Sequence, residues 1–190
     1  MKMILDYLEA IEPMEERLRH HFQDILQFKT LKKGQFLLRA GHVCRHIYFI
    51  EKGLLHCFYA RDLDQVSAWF MKEGDIAISL QSFFQQKTSY ESIQALEDTE
   101  LSYITYGELQ FIYRIYPEFN FTARLITERY YVEWETRLMG MRKKKAKERY
   151  DFMVTHYPEL LKRVPAKFMA SLIGMTEVTL SNIKNPKKSS

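Results

Sequence analysis

The chain has 190 residues, 46% of them hydrophobic, with 13 Phe and 12 Tyr, enough to bury a core and to exclude global disorder. No apolar run reaches the roughly 18 residues of a membrane span. Asp6 and Glu9 interrupt the apolar N-terminus, unlike a secretion signal, so a cytoplasmic location is expected. The net charge of +4 is unevenly spread: residues 1–136 carry 15 basic and 20 acidic residues, a net −5, whereas residues 137–190 carry 13 and 4, a net +9. A basic last quarter suits a polyanionic partner or a solvated surface, and charge alone does not choose between them.

Residues 3–28 read as helix, with apolar positions at Ile4, Leu8, Ile11, Leu18, Phe22 and Leu26, and Pro13 opening a second segment. From Phe28 to Ile104 the period shortens. β-Rich runs at residues 35–38, 47–50, 54–59 and 65–70 are separated by Lys33-Gly34, Ala40-Gly41, Lys52-Gly53, residues 62–64 and Glu73-Gly74-Asp75. Short strands punctuated by glycine and aspartate predict an antiparallel sandwich or barrel.

A short helix is expected over residues 108–116, stopped by Pro117, and a long one from Phe119 to about Met141. Ile126, Tyr130, Trp134, Leu138 and Met141 recur every three or four residues as one apolar stripe, and Phe121, Leu125 and Val132 make a second. Two stripes can serve two contacts, the sandwich and a partner subunit, or merge into one broad buried face. Ile126, Tyr130, Trp134 and Leu138 are the expected dimer interface. A basic run, residues 142–145, leads into another helix that ends before Pro158.

Residues 166–185, AKFMASLIGMTEVTLSNIKN, carry the most specific signal. Met169, Ala170 and Ile173 give a first helix its inner face, and Ala170 is small where two helices would cross. Gly174 permits a left-handed turn, and Thr176 suits an N-cap. Val178, Leu180 and Ile183 are expected to be buried on the second helix. Together these features describe a helix-turn-helix, with an ordinary helical hairpin as the plainer alternative. Thr176, Glu177, Thr179, Ser181, Asn182 and Lys184 then face outward toward double-stranded DNA. Asn182 can pair with adenine and Glu177 can accept from cytosine, while Thr179, Ser181 and Lys184 suit phosphate. Lys143, Lys144, Lys145, Lys167, Lys187 and Lys188 would add sequence-independent attraction.

The order of motifs resembles the Crp–Fnr family, the relatives of the cyclic-AMP receptor and the fumarate–nitrate regulator, over roughly residues 20–185. It is carried by residues 31–35 (LKKGQ), 39–41 (RAG), 48–54 (YFIEKGL), 73–75 (EGD), 95–101 (ALEDTEL) and the helix-turn-helix LIGMTEVTLSNI. The resemblance implies an α+β chain: a double-stranded β-helix (jelly-roll) sensor with N-terminal helices over residues 1–118, a dimerisation helix over 119–141, and an all-α helix-turn-helix domain over 142–190. It implies a homodimeric transcription regulator, with RNA polymerase as a further partner and no membrane partner.

The chain also departs from the family. Members that bind cyclic nucleotides carry a Gly-Glu-Leu and then an Arg-Ala or Arg-Ser, whose carboxylate holds the ribose and whose guanidinium holds the cyclic phosphate. Ser79 and Leu80, then Ser89 and Tyr90, stand there instead. This effector pocket is not expected to bind cyclic AMP in the usual mode, although an unidentified small-molecule effector stays open. The recognition positions that often hold Arg, Glu and Arg are here Glu177, Val178 and Asn182, so the usual half-site does not carry over.

Jelly-rolls also house metal-dependent enzymes, which makes an enzyme the main rival. The available ligands are His42, His46, Glu51 and His56, and the chain has no further histidine until His156. They lack the close His-X-His pair such sites use, so neither metal nor catalysis is expected. Cys44 and Cys57 are too few for a four-thiolate cluster, and no residue stands out as a haem ligand. A protein-interaction module with a helical end that does not bind DNA is the third reading, which the +9 segment disfavours.

Overall fold

The computed structural model describes residues 3–62 and 64–185. Two N-terminal helices, α1 (Met3–Ile11) and α2 (Glu16–Ile25), precede the strands β1 (Gln27–Leu31), β2 (Phe36–Leu38), β3 (His46–Lys52), β4 (Leu54–Arg61), β5 (Asp64–Lys72) and β6 (Ile76–Ala77). The short helix α3 (Leu80–Gln85) leads to β7 (Glu91–Ala95) and β8 (Thr99–Thr105). The rest of the described chain is helical: α4 (Tyr106–Ile115), α5 (Phe119–Met141), α6 (Ala146–His156), α7 (Pro158–Arg163), α8 (Ala166–Leu172) and α9 (Glu177–Lys184).

The strands form two antiparallel four-stranded sheets, β1-β8-β3-β6 and β2-β7-β4-β5, the layered arrangement of a jelly-roll. Its core gathers Leu31, Leu38, Tyr48, Ile50, Leu55, Cys57, Ile93, Ala95 and Leu101. The α+β class, the jelly-roll, the long helix and the helical end are therefore as expected. Phe28, taken as the end of the N-terminal helix, lies in β1 instead, paired with Ser102. Short runs set off by glycine and aspartate are the strand signal, and no glycine separates Gln27-Phe28-Lys29-Thr30 from the helix before it.

The strands of the sandwich are not simply alternating. Leu54 through Phe58 on β4 are all buried. Leu55 and Cys57 point into the sandwich core, whereas Leu54 belongs to a second core together with Phe70, Phe152, Met153, Leu160, Met169, Ala170, Ile173 and Leu180. A strand covered on both faces reads as a continuous apolar run, and here the second cover is the helical end of the same chain. Burying these side chains is worth about 1.5–3 kcal/mol each.

Two glycines are fixed by geometry. Gly53, at φ 108°, links β3 to β4, and any side chain there would run into Thr99. Gly140, near the end of α5, faces the Phe152 ring of α6 so closely that a methyl group would collide with it. The start of α4 is set by a capping box: the Glu108 amide donates to Thr105 Oγ1 at 3.1 Å, and the Thr105 amide donates to Glu108 Oε2 at 2.6 Å.

Candidate nucleic-acid interface

The helix pair α8–α9 has the construction its sequence implies. Met169, Ala170, Ile173 and Leu180 are buried between the helices and α6. Gly174 turns the chain at φ 65°, in the left-handed region. Thr176 is the N-cap of α9, and its Oγ1 accepts from the Thr179 amide at 3.1 Å. The Thr176 and Thr179 hydroxyls also bond each other at 2.9 Å. Both threonines therefore work within the helix start, and Thr179 is half-buried.

Arg149 on α6, which sequence reasoning did not single out, holds the turn in place. Its Nε donates to the Ile173 carbonyl at 2.6 Å and its Nη2 to the Gly174 carbonyl at 3.1 Å. Its Nη1 donates to the Lys143 and Lys144 carbonyls at 2.8 and 3.1 Å. One guanidinium thus satisfies carbonyls at the end of α8 and ties the turn to the basic run after α5. No short motif could have flagged it, because its partners are backbone carbonyls and the two in the turn lie 24 and 25 residues along the chain.

Glu177, Ser181, Asn182 and Lys184 are exposed, as is Lys167 on α8. Val178, expected to be buried, is instead 70% exposed. The helix period explains the difference: Leu180 fixes the inner face, and positions 178, 181 and 182 fall on the opposite one. Lys187 and Lys188 lie outside the described residues.

The helical end sits on the outer face of β4 and β5 through α8, not through α9. The Ser67 amide donates to Ser171 Oγ at 3.0 Å, and the His56 ring lies 4.5 Å from that of Phe168. His56 is fully buried, stacked also on Phe70, and its Nε2 is 2.8 Å from Ser67 Oγ. Burial pushes its pKa down to about 4, so the ring is neutral. The outward face of α9 stays clear of the sandwich.

The expected dimer stripe divides. Ile126 packs on the sandwich core, and Tyr130 Oη accepts from the Ile76 amide at 2.7 Å, so both face the chain's own sandwich. Leu138 is half-buried and Trp134 is 55% exposed on the flank. Phe121, Val132 and Met139 stand exposed on the opposite face of α5, with half-buried Leu125 between them. A period of 3.6 residues drifts round the helix, so residues spaced by four leave the face on which they began.

At the expected effector position, Ser79 and Ser89 are buried and their hydroxyls lie 3.0 Å apart, with Ser89 Oγ also donating to the Glu91 carbonyl at 2.8 Å. Leu80 and Tyr90 point the other way and are 60% and 62% exposed. The sandwich holds a cavity of about 60 Å3 lined by Leu38, Cys44, His46, Tyr48 and Ile93, room for a couple of waters. A larger open hollow of about 660 Å3 lies between α5 and α6, against Met139, Gly140, Arg142 and Phe152.

The possible metal ligands do not converge. His46 packs against Tyr48 and Tyr103, Glu51 accepts from Ser102 Oγ at 2.7 Å, His42 is exposed, and His56 lies on the far sheet against α8. Among the described residues no three His, Cys, Asp or Glu side chains are placed to share a metal ion. Cys44 and Cys57 are buried free thiols. Among those residues, too, no helix is long and apolar enough to cross a membrane.

Residues 28–116 match the family model of the cyclic nucleotide-binding domain. No curated protein matches the chain. A CooA variant from Carboxydothermus hydrogenoformans is 18% identical at a TM-score of 0.69, over 94% of this chain and 82% of that one. CLP of Xanthomonas campestris, described as a c-di-GMP-responsive global regulator, is 14% identical at 0.68, over 89% of each chain. A protein from Eubacterium rectale assigned to the Crp/Fnr family of transcriptional regulators is 17% identical at 0.66, over 94% and 85%. The chain is thus similar to cyclic nucleotide-binding domains over residues 28–116, and over nearly its whole length it shares the fold of these solved structures.

Proposed function

We propose that the chain is a DNA-binding transcription regulator of the Crp–Fnr type that acts as a homodimer. The observation that carries this reading is α9: a helix capped by Thr176, set on α8 by Gly174, and presenting Glu177, Ser181, Asn182 and Lys184 to solvent clear of the sandwich. It lies within a segment of net charge +9. A helix of this kind enters the major groove, and dispersed lysines on its flanks attract phosphate. Asn182 reads adenine, and Lys167 and Lys184 meet the backbone. Two such helices, one per protomer, read half-sites about one DNA turn apart.

The domain division is residues 1–118 for the sensor, 119–141 for the dimerisation helix and 142–190 for DNA binding. The face of α5 that suits a partner is the one bearing Phe121, Leu125, Val132 and Met139, because Ile126 and Tyr130 are spent on the chain's own sandwich. The sensor does not take cyclic AMP in the family's usual mode. Supporting this, Ser79 and Ser89 offer neither a carboxylate for the ribose nor a guanidinium for the phosphate, and they bond each other. RNA polymerase is the partner such a regulator meets on DNA. A cytoplasmic location suits that role and the two free thiols.

The test is selection of bound duplexes from a random pool, followed by affinity measurements at several salt concentrations. A recovered two-fold site, bound with a log–log salt slope set by several phosphate contacts, is the expected result. Asn182→Ala should then cost about 1–3 kcal/mol on that site and relax the choice at one base position. Failure to bind any duplex at low salt would sink the reading.

A further inference from the structure

Val178 is an apolar side chain on the polar, outward face of α9. It is 70% exposed, in the first turn of the helix, and it shares a face with Ser181 and Asn182 at spacings of three and four residues. It does not contribute to the buried seam between α8 and α9, which Leu180 fills. The residues near the start of a recognition helix reach furthest toward the base edges. Nearly every group on the floor of the major groove is a donor or an acceptor, and a valine pressed against one would leave it without a partner. The exception is the C5-methyl group of thymine.

We propose that Val178 is a specificity-determining residue whose isopropyl group packs on the C5-methyl of one thymine in each half-site. The inference rests on the reading of α9 as a DNA-recognition helix. Val178 and Asn182 are one helical turn apart, about 6 Å along the axis. At about 3.4 Å per base step, the thymine lies within roughly two base pairs of the adenine that Asn182 reads. Each half-site therefore holds these two A·T pairs close together. Ser181, on the same face, is short enough to let both neighbours approach the groove floor.

The test uses the full chain and the duplex recovered by selection. Each thymine is replaced in turn by deoxyuridine, which removes the methyl group and nothing else. At one position per half-site the native protein should lose about 4-fold in affinity, the worth of one buried methyl group. Val178→Ala should bind the parent duplex more weakly and lose its sensitivity to deoxyuridine at that position alone. Its melting temperature should match the native chain, since the side chain is exposed. Val178→Glu, which offers an acceptor, should move the preference at that position from thymine toward cytosine. The proposal is overturned if a site read through Asn182 is indifferent to deoxyuridine at every thymine, or if Val178→Ala keeps the native sensitivity. It is also overturned if Val178→Ala leaves DNA affinity unchanged, the outcome expected of a valine that faces a protein partner. Absence of binding to any duplex would overturn the DNA-binding reading itself, a separate and distinguishable result.

Discussion

Arg163 at the end of α7 donates two hydrogen bonds to Glu73 in the turn between β5 and β6, at 2.7 and 2.9 Å. The same guanidinium bonds Glu97, between β7 and β8, at 2.6 and 3.1 Å. Glu73 in turn accepts from the Gly53 amide at 2.8 Å. One cation on the helical end thus closes over two turns of the sandwich. These turns include the Glu73-Gly74-Asp75 and Glu97-Asp98 motifs, two of the stretches that carried the family resemblance in the sequence.

Arg163→Ala leaves two carboxylates facing each other at the seam. The groups are about one-third exposed, so solvent screens part of the loss. An overall cost of about 1–3 kcal/mol is expected, with Arg163→Lys intermediate because an ammonium cannot bridge both carboxylates in the same way. Hydrogen exchange should quicken in α7, α8 and α9 more than in the strands. Equal quickening throughout would mean that the ion pairs do not hold the two parts together.

Burial alone would raise the Glu73 carboxyl, but the hydrogen bonds from Arg163 and from the Gly53 amide outweigh it and hold the pKa at about 2. The folded value lies below the unfolded one of about 4.3. The stabilisation is therefore present above about pH 4.3 and is lost as pH falls toward 2. His56 works in a higher window. Its folded pKa of about 4 is below the usual 6.5, so between these values the unfolded chain binds a proton that the folded chain refuses. Stability should fall as pH drops through that window, by up to about 1.4 kcal/mol per unit. Denaturant titrations between pH 7 and 5 should show this slope, and His56→Phe should flatten it. An unchanged slope in the variant would assign the effect to another group.

Arg149→Ala removes the donor shared by the Ile173, Gly174, Lys143 and Lys144 carbonyls. Loss of charged hydrogen bonds worth about 1.5–3 kcal/mol each is softened by water reaching the exposed carbonyls. The expected result is a helix-turn-helix that melts earlier while the sandwich is unaffected, with DNA affinity reduced on all sequences alike. Altered base preference without lost stability would instead make Arg149 a direct DNA contact.

The jelly-roll, α5 and the helix-turn-helix were legible because each follows from local rules: short runs between glycines, a 3.6-residue stripe, a capped turn. Gly174 and Thr176 were readable for the same reason. What the sequence hid is pairwise and distant. The unbroken burial of residues 54–58 depends on side chains from Phe152 onward, far later in the chain. Ser79 and Ser89 stand at the expected effector position, but their mutual hydrogen bond requires the two ends of the α3 segment to meet. Val178 looked like core by hydrophobicity, and only the phase set by Leu180 turns it outward.

Phase also decides the last prediction, which concerns the two faces of α5. Phe121, Val132 and Met139 are exposed on one side, while Ile126 and Tyr130 pack on the sandwich from the other. If the exposed face joins two protomers, Val132→Glu buries a carboxylate in an apolar seam and should give monomers at micromolar concentration in sedimentation. Its affinity for a two-half-site duplex should fall by about 10²–10⁴, the advantage of linking two binding modules, while affinity for a single half-site changes little. Tyr130→Phe is the contrast. It strips the Ile76 amide of its acceptor and should cost about 1–3 kcal/mol of stability without changing the oligomeric state. The pair of variants separates the two roles of one helix. Monomers from Tyr130→Phe, with dimers intact in Val132→Glu, would return the interface to the Ile126–Tyr130 face and require the sandwich to release it.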